Sequence, residues 1–282
     1  MLDRLLAFAL SARDQRRMAI ALARGGATLA ARRVDLTRPG TWEASGFSQN
    51  GEDGVLEVLR GQLADGHRTF VEIGASDGLE NNTAWLAVAE RYAGLMVEGD
   101  RRLATRAARN IRPQSIGAEV LSLFVTRASV PELRARALQA DPDVFSLDID
   151  GNDLHVAEAL LDGGFRPAIF VVEYNATFGP ERSVTVPYQE DFVFTAAHPS
   201  ALWYGASITA WRRFFGPRGY RFVTVERNGV NAFFVDEARF PRAFLDGVRG
   251  LPFAENRYHR RLTGLPWERQ LALIADQPLV TI

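Results

Sequence analysis

The chain has 282 residues, 47% of them hydrophobic, which is enough to bury one large core in an elaborated domain or a domain with appendages. It contains neither cysteine nor lysine, so all 33 basic residues are arginine, and disulfides, thiolate chemistry, Schiff bases and the P-loop lysine are excluded. A net charge of −1 argues against a nucleic-acid partner held by phosphate neutralisation, and no apolar run approaches the roughly 20 residues of a membrane span.

Residues 1–45 read as an N-terminal helical extension. LDRLLAFALSARDQRRMAIALA and ATLAARRVDL carry helical patterns, and the helix-weakening pair Gly25 and Gly26 between them predicts two helices. Residues 1–40 hold eight Arg against three Asp, so this arm is basic. It suits a cap on the core, a homo-oligomer contact or an anionic membrane surface. The N-terminus lacks a clear secretory pattern, and the expected location is cytoplasmic. RPGTW at 38–42 reads as a linker. In GFSQNGEDGVLEVLRGQL, Ser48 is placed to cap a helix whose Val55, Leu56, Val58, Leu59 and Leu63 face a core.

From there strand and helix signals alternate. The β-prone runs are TFVEI, GLMVE, AEVLSLFV, VFSLDID and AIFVVEY, and NTAWLAVAERY, RLATRAARN, VPELRARALQ and LHVAEALLDG separate them. This predicts an α/β fold with a parallel sheet covered on both faces, because VFSL and AIFVV are apolar throughout. Residues 176–204 lack periodicity and are too long for a plain connection, so they read as an insertion over the site. The helix SITAWRRFF follows, then RFVTVERNGVNAFFVD, whose Asn228-Gly229 turn signal predicts a closing antiparallel hairpin. The main domain is therefore 46–236. Residues 237–282 form an extension with little chemical signal.

In such a sheet, ligands bind beyond the carboxyl ends of the strands, near the point where strand order reverses. Four strand ends carry carboxylates: Glu72 before the turn GASDG, Glu98, the pair Asp148 and Asp150, and Glu173 followed two positions later by Asn175. Calcium in an EF-hand loop does not explain DIDGND, because the sixth and twelfth positions from Asp148 hold Asp153 and Ala159. The glycine turn lets a ligand approach the backbone, but it lacks the full G-x-G-x-x-G pattern and Glu72 would face a pyrophosphate. That disfavours a dinucleotide reductase. S-adenosylmethionine, with its sulfonium and amine, suits an acidic strand end better, and Glu98 is placed to accept from both ribose hydroxyls.

At FVEIGASDGLENNT, GLMVEGD, FSLDIDGND and FVVEYN the chain resembles class I S-adenosylmethionine-dependent methyltransferases, and more narrowly the FkbM-like group, over about residues 47–236. The resemblance implies a Rossmann-like sandwich with a mostly parallel seven-stranded sheet. By position it implies donor contacts from Glu72, Gly74, Ser76, Gly78, Glu98 and Asp148. It matches Asp148, Asp150 and Gly151 to the family's acidic motif, although Ser76 stands where many members have Gly and Asp150 where the motif has Glu. It also implies magnesium, since some sugar O-methyltransferases of this kind hold the ion between these two strands.

The implied activity is O-methylation of a sugar hydroxyl on a polysaccharide, glycolipid or glycosylated metabolite. N- or O-methylation of a small metabolite or peptide is the second enzymatic reading, and a donor-binding interaction module without turnover is the third. Activating a hydroxyl takes a general base or a divalent cation. If the chain turns at Gly151, then Asp148, Asp150, Glu173 and Asn175 form an all-oxygen set suited to Mg2+ or another divalent ion. Asp148, Asp150 and Glu173 are equally candidates for direct catalysis, with His155 as a further base. Other roles are open to several of these: Asp150, Asn152 or Asp153 as helix caps, His155 as a solvent-facing or capping residue, and Asn81 and Asn82 as turn residues. In the insertion region Tyr174, Phe178, Tyr188, Phe192, Trp203 and Tyr204, with Arg182 and His198, serve either a sugar ring or the insertion's own core.

Overall fold

The computed structural model describes residues 2–282, with side chains from residue 11 onward. Its strands are β1 (Thr69–Ile73), β2 (Ala93–Glu98), β3 (Ala118–Ser122), β4 (Val144–Leu147), β5 (Ile169–Glu173), β6 (Val184–Thr185), β7 (Tyr220–Val225), β8 (Asn231–Asp236) and β9 (Val280–Thr281). Seven of them form one sheet in the order β3-β2-β1-β4-β5-β8-β7, and β6 pairs separately with β9. The strands β1 to β5 run parallel, while β8 lies antiparallel between β5 and β7. This is the mostly parallel seven-stranded sandwich closed by a hairpin that the sequence implies.

Burial on both faces explains the apolar strands. Phe145, Leu147, Phe170 and Val172 enter one core with Trp211 and Phe215. Their neighbours Val144, Ile169 and Val171 enter the other with Leu56 and Leu59. Alternation of side-chain direction along a strand makes both sets apolar only when helices cover both faces. Those helices include Glu52–Arg60, Arg101–Ile111, Val130–Arg136, Asp153–Asp162 and Ile208–Phe215. No described helix is long and apolar enough to cross a membrane.

Two local expectations need correction. The N-terminal pattern forms one continuous helix, Leu2–Ala31, with no break at the glycine pair. Gly25 is there for close approach: a Cβ on it would overlap the Trp85 ring, which packs with Met18, Ala21, Phe47 and Leu79. Ser48 is not the N-cap of its helix, which begins after Gly51 at φ +105°. Ser48 Oγ still satisfies the helix start from three residues further back, accepting the first-turn Asp53 N–H at 3.0 Å, and Asp53 Oδ2 accepts the N–H groups of Gly46, Phe47 and Ser48 at 2.7, 2.8 and 3.1 Å.

The segment around residues 176–204 builds its own small core from Phe178, Val186, Phe192, Leu202, Trp203 and Tyr204, closed by Ile274 from the C-terminal extension. That extension returns across the hairpin. Gly229, at φ +75°, has no room for a Cβ because the backbone of Ala254 and Glu255 lies against it.

Candidate functional site

A cavity of about 1060 Å³ opens at the carboxyl edge of the sheet above β1, β2, β4 and β5, where strand order reverses. Gly74 begins the turn after β1 at φ +90°, and a Cβ there would overlap the carbonyl oxygen of Asp148, so only glycine lets β1 and β4 meet this closely. Ser76 follows at φ +50°. Its N–H donates to Glu98 Oε2 at 2.7 Å, and the Asp100 N–H donates to Glu98 Oε1 at 2.8 Å. One carboxylate thus joins the turns after β1 and β2 while each oxygen keeps a lone pair for a ligand. Gly74, Ser76 and Glu98 all line the cavity, with Phe124, 48% exposed, beside them.

Beyond β4 and β5 stand Asp148, Asp150 and Glu173, with ligand oxygens all within 4.8 Å of one another. The chain turns at Asp150 itself, φ +52°, one residue earlier than the expected Gly151. Asp153 holds that turn, its carboxylate accepting the N–H groups of Ile149 at 2.9 Å and Gly151 at 2.8 Å, rather than capping the helix it begins. Gly151 has no room for a side chain because Phe192 packs on it.

The three carboxylates are poorly compensated. Glu173 Oε1 accepts the Tyr204 hydroxyl at 3.3 Å, and the buried Oε2 has no partner among the described residues. No described ion pair involves any of the three. Burial pushes Asp148 and Glu173 well above the usual carboxylate range, and repulsion within the set adds to it. Asp150 is pushed up to about 7 by burial, then by Asp153 and Glu98. Carboxylates crowded in this way call for a cation or a shared proton.

Most of the remaining sequence candidates lie off the cavity. Glu72 is 2% exposed and turned inward, its oxygens taken by the Asn82 N–H at 2.8 Å and the Thr83 hydroxyl. Gly78, at φ +78°, lies against Ala107 and Ile111 and serves helix packing. Asn175 is fully buried, donating to the carbonyls of Leu202 and Tyr204 at 2.8 and 2.9 Å and accepting the Thr177 N–H at 2.9 Å. His155 has both nitrogens engaged: Nε2–H donates to Val186 O at 2.8 Å, and Nδ1 accepts from Arg127 at 3.1 Å. Asn81 Oδ1 accepts the Ala84 N–H at 2.8 Å and Asn82 Nδ2 donates to Ser146 Oγ at 3.0 Å, so both are turn residues here. Among the aromatic candidates, Phe192 and Tyr204 reach the cavity, while Arg182 and His198 do not line it.

Several lining residues carry no motif. Gln49, Asn50 and Asn228 reach the rim because Glu52 accepts from Asn50 and Asn231 at 2.7 and 2.8 Å, and Asn228 donates to Asn50 at 3.0 Å. SQNGEDG and GVNAFFV are the sequence trace of that network. Residues 256–259, 261 and 262 of the extension supply a whole wall. His259 there is bonded to Tyr204 at 3.0 Å and Thr177 at 3.1 Å, and burial lowers it to about 4. A lone histidine in an aperiodic tail gives no sequence signal for such a role.

No protein-family model matches the chain, and no curated protein matches it in sequence. Among solved structures it is similar to an O-methyltransferase from Bacillus cereus in complex with SAH, at 18% identity over 78% of this chain and 89% of that one, TM-score 0.44. It is also similar to the O-methyltransferase TomG from Streptomyces achromogenes, involved in tomaymycin synthesis and in complex with SAM, at 18% identity over 67% and 80%, TM-score 0.42. Cofactor-bound Rv0187 from MTB gives 18% identity over 78% and 89%, TM-score 0.44.

Proposed function

We propose that the protein is an S-adenosylmethionine-dependent O-methyltransferase acting on a sugar hydroxyl. One observation carries the reading: a turn open to a ligand at Gly74 and Ser76, the ribose-ready Glu98 and the uncompensated set Asp148, Asp150 and Glu173 share one cavity at the switch point of the sheet. Glu98 would accept from the donor's ribose hydroxyls, and the exposed Phe124 offers its adenine a flat apolar face. Phe192, Phe194 and Tyr204 line the side beyond Asp150 and suit a sugar ring.

In the transfer, the bond from sulfur to methyl breaks as the bond from acceptor oxygen to methyl forms. The sulfonium becomes a thioether, and the hydroxyl proton passes to the carboxylate of Asp148 or Glu173. Asp148, Asp150 and Glu173 would orient the acceptor hydroxyl and hold negative charge beside it. The orphaned Glu173 Oε2 and the absence of a paired arginine among the described residues fit these three as ligands of a divalent cation such as Mg2+, with Asn175 outside the set. When bound, that ion supplies the positive charge that lowers the pKa of a coordinated hydroxyl.

Calorimetry with S-adenosylmethionine, S-adenosylhomocysteine and NAD tests the donor site. Both sulfur ligands bind and NAD does not, and Glu98→Ala weakens the former by about tenfold or more. If neither sulfur ligand binds, the reading is lost. Titration with Mn2+, followed by paramagnetic resonance, tests the cation, and equal binding by the Asp148→Asn/Glu173→Gln variant would remove it.

A further inference from the structure

One wall of the cavity has the opposite charge to its floor. The floor carries Glu98, Asp100, Asp148, Asp150 and Glu173, while Arg257 and Arg261 stand on the wall formed by the helix Arg257–Thr263. They are the only arginines among the described lining residues. Four positions apart, they share one helix face and repel each other. Arg260 beside them reaches Glu255 at 2.7 Å, yet neither Arg257 nor Arg261 takes part in a described ion pair. Tyr258 and Leu262 adjoin them at the mouth, 73% and 57% exposed.

The platform beneath the pair is fixed. Asn256 caps the helix, accepting the N–H groups of Tyr258 and His259 at 2.8 and 3.0 Å, and the Arg257 N–H donates to Asn228 O at 3.0 Å. Buried His259 ties the same turn to Tyr204 and Thr177. Two exposed guanidiniums without carboxylate partners among the described residues, carried by a fixed helix at the mouth of a cavity, form a receptor for an oxyanion, which arginine binds through paired charge-assisted hydrogen bonds.

We propose that Arg257 and Arg261 bind an oxyanion, phosphate or carboxylate, carried by the methyl acceptor, so that the substrate class is a phosphorylated or acidic sugar. This rests on the cavity being the methyl-transfer site. The arrangement gives the acceptor a direction: its anion is drawn to the arginine wall and repelled by the acidic floor, which leaves a hydroxyl to face Asp148, Asp150 and Glu173.

The test uses the full chain saturated with S-adenosylhomocysteine, titrated by calorimetry with glucose, glucose 1-phosphate and glucuronate. At least one charged probe binds about tenfold or more tighter than glucose, and the stronger of the two identifies the group. In Arg257→Gln/Arg261→Gln that difference disappears while S-adenosylhomocysteine affinity and melting temperature hold. Equal binding of charged and neutral probes by the wild type overturns the proposal, as does a preference that survives in the double variant. Loss of S-adenosylhomocysteine affinity in the variant overturns it too, because the pair then serves the donor. If the wild type does not bind S-adenosylhomocysteine, the methyl-transfer reading fails by itself. Inorganic phosphate then decides the pair: binding to wild type and not to the variant supports an oxyanion site, and no binding to wild type removes it.

Discussion

Two groups of carboxylates, one buried and one half-open to the cavity, meet at the carboxyl edge of the sheet, and they are treated in opposite ways. Glu52, Glu72 and Glu226 are almost wholly buried, yet each is surrounded by donors: Glu226 alone accepts from the backbone N–H groups of Asn228, Val230 and Asn231. Asp148, Asp150 and Glu173 are more open to the cavity as a set, yet they face one another, and Glu173 Oε2 has no partner among the described residues. What divides these two groups is their hydrogen bonding: an acid whose oxygens are taken by donors has less to offer a ligand.

The sharpest way to break this contrast is to neutralise one member of each group. Asp148→Asn is expected to lower methyl transfer by about 10²- to 10⁴-fold, measured by single-turnover assay with labelled donor. Its melting temperature without added cation should not fall, since a source of repulsion is gone. Glu72→Ala should do the reverse. It strands the Asn82 N–H and the Thr83 hydroxyl, costs about 1–3 kcal/mol in urea unfolding, and leaves donor affinity unchanged in the folded fraction. A loss of donor binding without a loss of stability would return Glu72 to the site.

The satisfied acids Glu72 and Glu226 also make stability depend on pH. Burial pushes Glu72 up to about 7 and Glu226 up to about 8, so between the unfolded carboxylate range and those values the folded chain binds more protons. Stability is therefore greatest on the acid side and is lost as pH rises through about 7 to 8. Urea midpoints from pH 5 to 8 should decline accordingly, and Glu72→Gln should flatten the decline. The smallest effect belongs to His155. With both nitrogens engaged outside the cavity, His155→Gln should leave transfer within about twofold, and a larger loss would give it a catalytic part.

The carboxylates were legible as candidates in the sequence, but their division was not. Glu72 and Glu98 both end β-prone runs, and only the folded turn shows one facing Asn82 and Thr83 and the other facing the cavity. Asn175 stands two residues after Glu173, but a turn carries its amide to the carbonyls of Leu202 and Tyr204. Local sequence fixes how far apart two side chains are along the chain, not which way a turn aims them. The Gly25 and Gly26 pair shows the same limit, since glycine both weakens a helix and lets a tryptophan approach it.

By itself the sequence determined the alternation of strands and helices, because strands buried on both faces must be apolar at every position. It also determined the acidic strand ends and the closing hairpin. Only the tertiary structure decided that β4 turns at Asp150, that Glu173 keeps an unpartnered oxygen and that a C-terminal helix brings Arg257 and Arg261 to the cavity. Those facts depend on contacts between segments far apart in the chain, and no periodicity along the chain encodes them.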